Sequence, residues 1–252
     1  MRLTFLGTGT SMGIPIAGGF GTEYAQHDPR NNRYRCSAWV ETGDLSILID
    51  VGPEFRLQSL RAGLKRVDLL LITHEHFDHI GGLDDLRPYN YAQKGAIPMY
   101  TTANCAAAIE KRYDYMFGPD RYKGAVDAEI NVADGPFEFR GQKIIPLPVD
   151  HGNVDVIGFR IGDLSYVTDA KIMPQSTKDL IKGSKVLVLN ALRWEPKHPT
   201  HLTIPESIEI AQELEVPQTY FVHMGSWIDH QPTSDRLPEG VNLAYDQLVV
   251  DI

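Results

Sequence analysis

Residues 67–82 read VDLLLITHEHFDHIGG. The apolar run Leu69–Ile72 has the length of a buried strand, and it runs straight into a polar cluster. Between positions 74 and 79 stand His74, His76, Asp78 and His79. A strand end that feeds a tight loop turns alternate residues, such as His74 and His76, toward one point. Asp78 and His79 are adjacent, so a helical turn is needed to aim both at a neighbouring point. Gly81 and Gly82 follow, where the backbone must bend. Imidazole and carboxylate are the donors that Zn²⁺, Mn²⁺ and Fe²⁺ accept. Crowding so many at the end of an apolar strand costs desolvation and mutual repulsion unless a cation is present.

Further donors stand after other strand-like runs. His151 follows IIPLPVD, Asp169 follows LSYVT and His223 follows TYFV. Around these, Arg2–Leu6 reads as a first strand, Gly7–Thr22 as a glycine-rich loop, and Cys36–Glu41 with Leu45–Ile49 as two strands across a turn at Thr42-Gly43-Asp44. Pro53 to Ala62 reads as a helix stopped by Gly63, Thr102–Tyr113 as an alanine-rich helix, and Pro205–Leu214 as a third. Strands are expected at Val67–Thr73, Ile97–Tyr100, Ile144–Val149, Val156–Ile161, Leu164–Thr168, Val186–Leu189 and Thr219–Val222, with Leu243–Ile252 closing as a hairpin-like pair. No linker or short repeat divides the chain, so one domain over residues 1–252 is expected. Two β-rich halves, each followed by helices, suit two face-packed sheets with helices outside them.

The 252 residues suffice for a substantial core without disulfides. Apolar residues make up 42% and none of their runs reaches the length of a membrane span. The opening MRLTFLGTGT reads as a strand and loop rather than a signal peptide. Cys36 and Cys105 are the two cysteines, expected to be free thiols in a reducing compartment, which makes the cytoplasm the default location. A net charge of −9 argues against duplex nucleic acid as a partner, which needs a dense basic face. It still allows a small anionic substrate held by a local positive centre such as a metal pair.

The ordered motifs ILIDVG, HEHFDH, VDHG, VTDAK and FVHMG resemble those of the metallo-β-lactamase superfamily across nearly the whole chain. The resemblance implies an α/β, four-layer αββα sandwich and a dinuclear metal hydrolase. By it, His74, His76 and His151 hold one divalent ion, Asp78, His79 and His223 hold a second, and Asp169 bridges them. The ions expected are Zn²⁺ or Mn²⁺, with Fe²⁺ a third option. Asp50 is then expected behind the ligands, orienting the loop that carries them. A cap for an N-terminal turn is a second, compatible role for it.

FLGTGTSMGIP, DPRNNRYRCSAWVE, GGLDDLRPYN, NALRWEPKHPTH and LPEGVNLAYD are similar to the PhnP-type phosphodiesterases. That branch implies a small cyclic or nucleotide-like phosphodiester as substrate. A hydroxide held between the metals attacks phosphorus, with Asp78 among the catalytic groups as a ligand. His201, in Lys197-His198-Pro199-Thr200-His201, is then the general acid for the leaving group. The branch also carries a structural zinc, whose ligand positions fall here on Gly19, Gly21, Tyr24 and Ser226, so no structural zinc is expected. Any dimer contact that depends on that loop is in doubt, although a homodimer stays open. Arg87 and Arg193 are read as salt-bridging residues that could lie near the phosphate, His198 as a bystander, and His27 and His230 as surface residues. A thioester or lactone hydrolase on the same centre is the competing activity. A transfer-RNA 3′-end nuclease would need a basic insertion that is not visible, and a metal-dead binding module sits poorly with a full ligand set.

Overall fold

The computed structural model describes residues 1–118 and 121–252. In chain order its strands are β1 (Arg2–Gly7), β2 (Ser37–Thr42), β3 (Leu45–Ile49), β4 (Leu69–Leu71), β5 (Ile97–Thr101), β6 (Ala128–Val132), β7 (Phe137–Phe139), β8 (Gln142–His151), β9 (Val154–Ile161), β10 (Leu164–Tyr166), β11 (Val186–Asn190), β12 (Gln218–Val222), β13 (Val241–Leu243) and β14 (Val249–Asp251). They form two seven-stranded sheets, ordered β14, β1, β2, β3, β4, β5, β6 and β13, β12, β11, β10, β9, β8, β7. Each sheet is antiparallel on one side and parallel on the other: β3 to β6 run parallel in the first, β10 to β13 in the second.

Side-chain alternation explains why the sheets stack. Along β3 and β4, Ile47, Ile49, Leu69 and Leu71 face the second sheet, where Phe159, Ile161, Tyr166, Val186 and Val188 meet them. Leu48 and Leu70 point the other way and pack under helices with Phe55, Leu86 and Ile109. On the second sheet Leu187, Leu189 and Phe221 likewise face outward, against Ile181, Ile204 and Leu214. A sheet apolar on both faces must be covered on both, and the result is the αββα sandwich. Among the described residues no helix is long and apolar enough to cross a membrane. Cys36 and Cys105 are buried and unpaired. They belong to cores on opposite sides of the first sheet, which rules out a bridge between them.

Two expectations fail. The C-terminal segment is no hairpin: β13 joins the second sheet beside β12, while β14 crosses to the first and pairs with β1. His230 is not a surface residue but is 4% exposed. Its Nδ1 lies 3.0 Å from Nη2 of the buried Arg33, which also donates to Thr8 Oγ1 and the Ala244 carbonyl. Burial first, then the Arg33 and Arg30 guanidinium groups, lower the His230 pKa to about 4. A histidine whose folded pKa lies below its unfolded value of roughly 6.5 contributes stability above that pH and loses it as pH falls toward the folded value. Wild-type protein should therefore lose more thermal stability between pH 7 and pH 5 than His230→Asn, which keeps an acceptor for Arg33 without the titration. Parallel losses in the two proteins would refute this account.

Candidate metal centre

The cluster gathers at the carboxyl ends of strands, the usual location of ligands in open α/β sheets. β4 delivers Thr73 and His74. A single helical turn, Phe77–Ile80 with His76 before it, then aims Asp78 and His79, as their adjacency requires. The turn is pressed against the 50–52 loop. A Cβ on Gly82 would stand 2.2 Å from the Gly52 carbonyl oxygen, and one on Gly52 would stand 2.3 Å from the Asp78 carbonyl oxygen. Only glycine permits either approach.

Asp50 takes the first of its expected roles, behind the ligands, and not the second: the helical turns after it start at Glu54 and His76 with no side-chain cap. Its carboxylate accepts from Thr73 N at 2.8 Å, Thr73 Oγ1 at 2.9 Å and His79 Nδ1 at 2.7 Å. The first two bonds hold the Thr73 backbone and side chain just beyond β4. The third fixes the tautomer of His79 and turns Nε2 toward the centre. On the other side, His151 Nδ1 donates to the Thr200 carbonyl at 2.7 Å, which frees its Nε2.

Donor atoms within 4.8 Å of one another fall into overlapping groups. His74, His76 and His151 make one, and Asp78, His79 and His223 make a second. Asp169 groups with His74 and His79, one member from each, and so lies between the two; a further group joins Asp169 to His151 and His201. His79 Nε2 and His223 Nε2 are buried without hydrogen-bond partners although carboxylates stand close. Asp78 Oδ2 is 3.1 Å and Asp169 Oδ2 3.3 Å from His79 Nε2, and Asp169 Oδ1 is 3.0 Å from His223 Nε2. Such orphaned nitrogens, converging with carboxylate oxygens, fit divalent cations.

The electrostatics agree. Burial works against a charge on His79, yet the Asp78, Asp50 and Asp169 carboxylates prevail and hold its pKa well above the usual imidazole range. His223, also against burial, is raised to about 9 by Asp169 and Asp78. Burial opposes ionisation of Asp169 too, but His223 and His79 keep its pKa well below the usual carboxylate range. These protons neutralise the buried carboxylates, and a bound cation displaces them. Asp50, Asp169 and His223 each adopt positive φ, at 59°, 55° and 57°. Left-handed backbone at non-glycine residues stores strain, and it concentrates at functional sites.

Beyond these seven donors, His201 lies with its Nδ1 3.7 Å from Asp169 Oδ1. Its ring centroid is 4.6 Å from that of His151 and 4.7 Å from that of His223. Burial and the charge on His223 press its pKa down to about 3, so the ring is neutral at ordinary pH before an anion arrives. His198 is brought in as well, its ring centroid 5.0 Å from that of His201. Arg87 pairs with Asp84 at 3.2 Å. Arg193 instead donates to the Pro196 carbonyl and sits 6.0 Å over the Trp227 ring. At the positions matching the lost zinc ligands, a Cβ on Gly21 would stand 2.9 Å from Ser226 Cβ. Asn31 ties this region together: its Nδ2 donates to Asp229 Oδ1 and the Tyr24 carbonyl, and His230 N donates to its Oδ1.

This architecture and cluster place the chain in the β-lactamase superfamily, whose domain model matches residues 46–224. Its members are mostly metal-dependent hydrolases, and the His/Asp groups here are able to hold metal. A crystal structure described as a new diphosphatase from the PhnP family superposes with a TM-score of 0.92 at 36% identity, covering 100% of this chain and 97% of the other. Zn²⁺-bound PqqB from Methylobacterium extorquens shares the fold, with a TM-score of 0.81 at 17% identity over the full length of both chains. An octanoyltransferase of Porphyromonas gingivalis is 33% identical over 252 residues, 98% of this chain. The chain spans about half (51%) of that relative's length.

Proposed function

We propose that the protein is a phosphodiesterase that hydrolyses small cyclic or nucleotide-like phosphodiesters with two divalent ions, Zn²⁺ or Mn²⁺. The observation that carries this reading is an eighth group, His201, in reach of His151 and Asp169 yet outside the two triads of His74, His76, His151 and Asp78, His79, His223. Its position suits a residue that serves the substrate. His74, His76 and His151 would hold one ion and Asp78, His79 and His223 the other, with Asp169 shared. Such a pair lowers the pKa of water toward ~7 and offsets negative charge on phosphate oxygens. His201 then orients the diester and supplies a hydrogen to the departing oxygen. A bound anionic diester acts on its pKa in the opposite sense to burial, toward the protonated form. The diphosphatase neighbour supports a phosphorus substrate. The unpaired buried thiols suit a cytoplasmic setting.

A second reading, an acyl hydrolase acting on thioesters or lactones, draws support from the octanoyltransferase relative. Metal-reconstituted protein should turn over bis(p-nitrophenyl) phosphate and 2′,3′-cyclic nucleotides well above an octanoyl thioester or a lactone. Faster acyl hydrolysis would overturn the phosphodiesterase reading. Preference for a diphosphate over every diester would move the substrate to a phosphoanhydride.

A further inference from the structure

We infer that Lys171 and Glu206 form a positioning clamp for His201, an inference that rests on His201 serving the leaving group. The segment carrying His201 is fixed at three successive residues by groups next to, or within, the donor cluster. Thr200 offers its carbonyl to His151 Nδ1 at 2.7 Å. Leu202 N donates to the Ala170 carbonyl at 2.9 Å, one residue beyond Asp169. Between them the His201 carbonyl accepts from Lys171 Nζ at 3.4 Å. The same ammonium donates to both Glu206 oxygens, at 2.9 and 3.1 Å.

Glu206 is anchored from the other side. It is the fourth member of the capping box that starts the helix Ile204–Leu214, accepting from Thr203 N at 2.9 Å and Thr203 Oγ1 at 2.8 Å. Lys171 and Glu206 keep only 21% and 18% of their side-chain surface exposed, so solvent screens the pair less than a surface bridge. The Lys171 ammonium thus spans from the Asp169 loop to the first turn of the helix that follows His201. By this inference it sets how far the His201 ring stands from the Asp169 carboxylate, 3.7 Å from Nδ1 to Oδ1. Positional error of about 1 Å in a reacting group can cost ~10²-fold in rate. Lys171 is therefore a positioning residue, and its loss should be felt where His201 is needed.

The test compares wild type, Lys171→Met, Lys171→Arg, Glu206→Gln and His201→Ala, all metal-loaded, on a diester with an alkoxide leaving group and one with p-nitrophenolate. Lys171→Met should lower kcat on the alkoxide diester by ~10–100-fold while the nitrophenolate diester loses only a few-fold. KM and the metal content should stay near wild type, and Lys171→Arg should restore most of the rate. Glu206→Gln keeps an acceptor for the helix cap and removes the charge, so it should show the same selective loss; it carries the test if Lys171→Met folds poorly. Equal losses on both substrates, or loss of metal with rate, would overturn the clamp and leave a plain structural role. His201→Ala separates the two layers. If it discriminates between leaving groups and the Lys171 and Glu206 variants do not, the clamp alone fails; if it shows no discrimination, the reading of His201 fails and takes the clamp with it.

Discussion

His201→Ala should lower kcat for a phosphodiester with an alkoxide leaving group by ~10²–10⁴-fold, the usual worth of a positioned general acid. An alkoxide is a poor leaving group until it receives a proton, whereas p-nitrophenolate departs without one. The same variant should therefore lose much less on a nitrophenyl diester, and the ratio of the two losses measures proton donation itself. Metal content should not change, because each triad and Asp169 are complete without His201; a loss of metal would instead make His201 a ligand in the group it forms with His151 and Asp169. Burial holds the pKa of the His201 ring down, and this sharpens the experiment. If the substrate does not raise it, His201 can only hydrogen-bond as a neutral ring, and both substrates would then lose the same factor. No loss on either would make His201 a bystander and remove the main support for the phosphodiesterase reading.

Stripping the metals should produce the second large effect, on stability as well as activity. Asp50, Asp78, Asp169, His74, His79, His151 and His223 are all buried. Three of the site residues sit in left-handed backbone, at a cost of about 1–3 kcal/mol each. A ligand that binds only the folded state at 100 times its Kd adds about 2.7 kcal/mol. For a chain of this size that corresponds to roughly 5–10 °C in Tm per site. Chelated protein should melt lower by that order and regain the difference on addition of Zn²⁺ or Mn²⁺. Asp169→Asn should respond little to metal, since asparagine tolerates the backbone conformation but brings no charge to share between the ions. A chelated enzyme that melts with the loaded one and still turns over diester would sink the metal-centre reading.

Much of the fold was legible because its signals are local. The largely apolar run Leu45–Ile49 marked a strand, and the adjacency of Asp78 and His79 demanded the helical turn that follows β4. The seven donors were found at strand ends, and the structure brings them within reach of one another. Features set by distant partners were not visible. β6 and β7 are short and only partly buried, so their pattern is faint. The last ten residues resemble a hairpin in isolation, yet only β14 lies wholly within them and pairs in the first sheet, while Leu243 ends β13 in the second. His230 stands in the polar run DHQPTS, and its burial depends on Arg33, 197 positions away. Lys171 and Glu206 are 35 residues apart, although Thr203-Ile204-Pro205-Glu206 carries the capping-box spacing that should have drawn attention to the glutamate.

The division of donors between the sheets has one more consequence. His74, His76, Asp78 and His79 follow β4 of the first sheet, while His151, Asp169 and His223 end strands of the second or follow them closely. Each triad takes two donors from one half of the molecule and one from the other. Bound ions would thus act as rivets across a seam, and the reaction would be carried out by the fastener itself. Any opening of the halves like the covers of a book would pull both triads apart together. Turnover would then fail at the first separation of the sheets, before either sheet had lost a strand, making catalysis a more sensitive gauge of their docking than secondary-structure content.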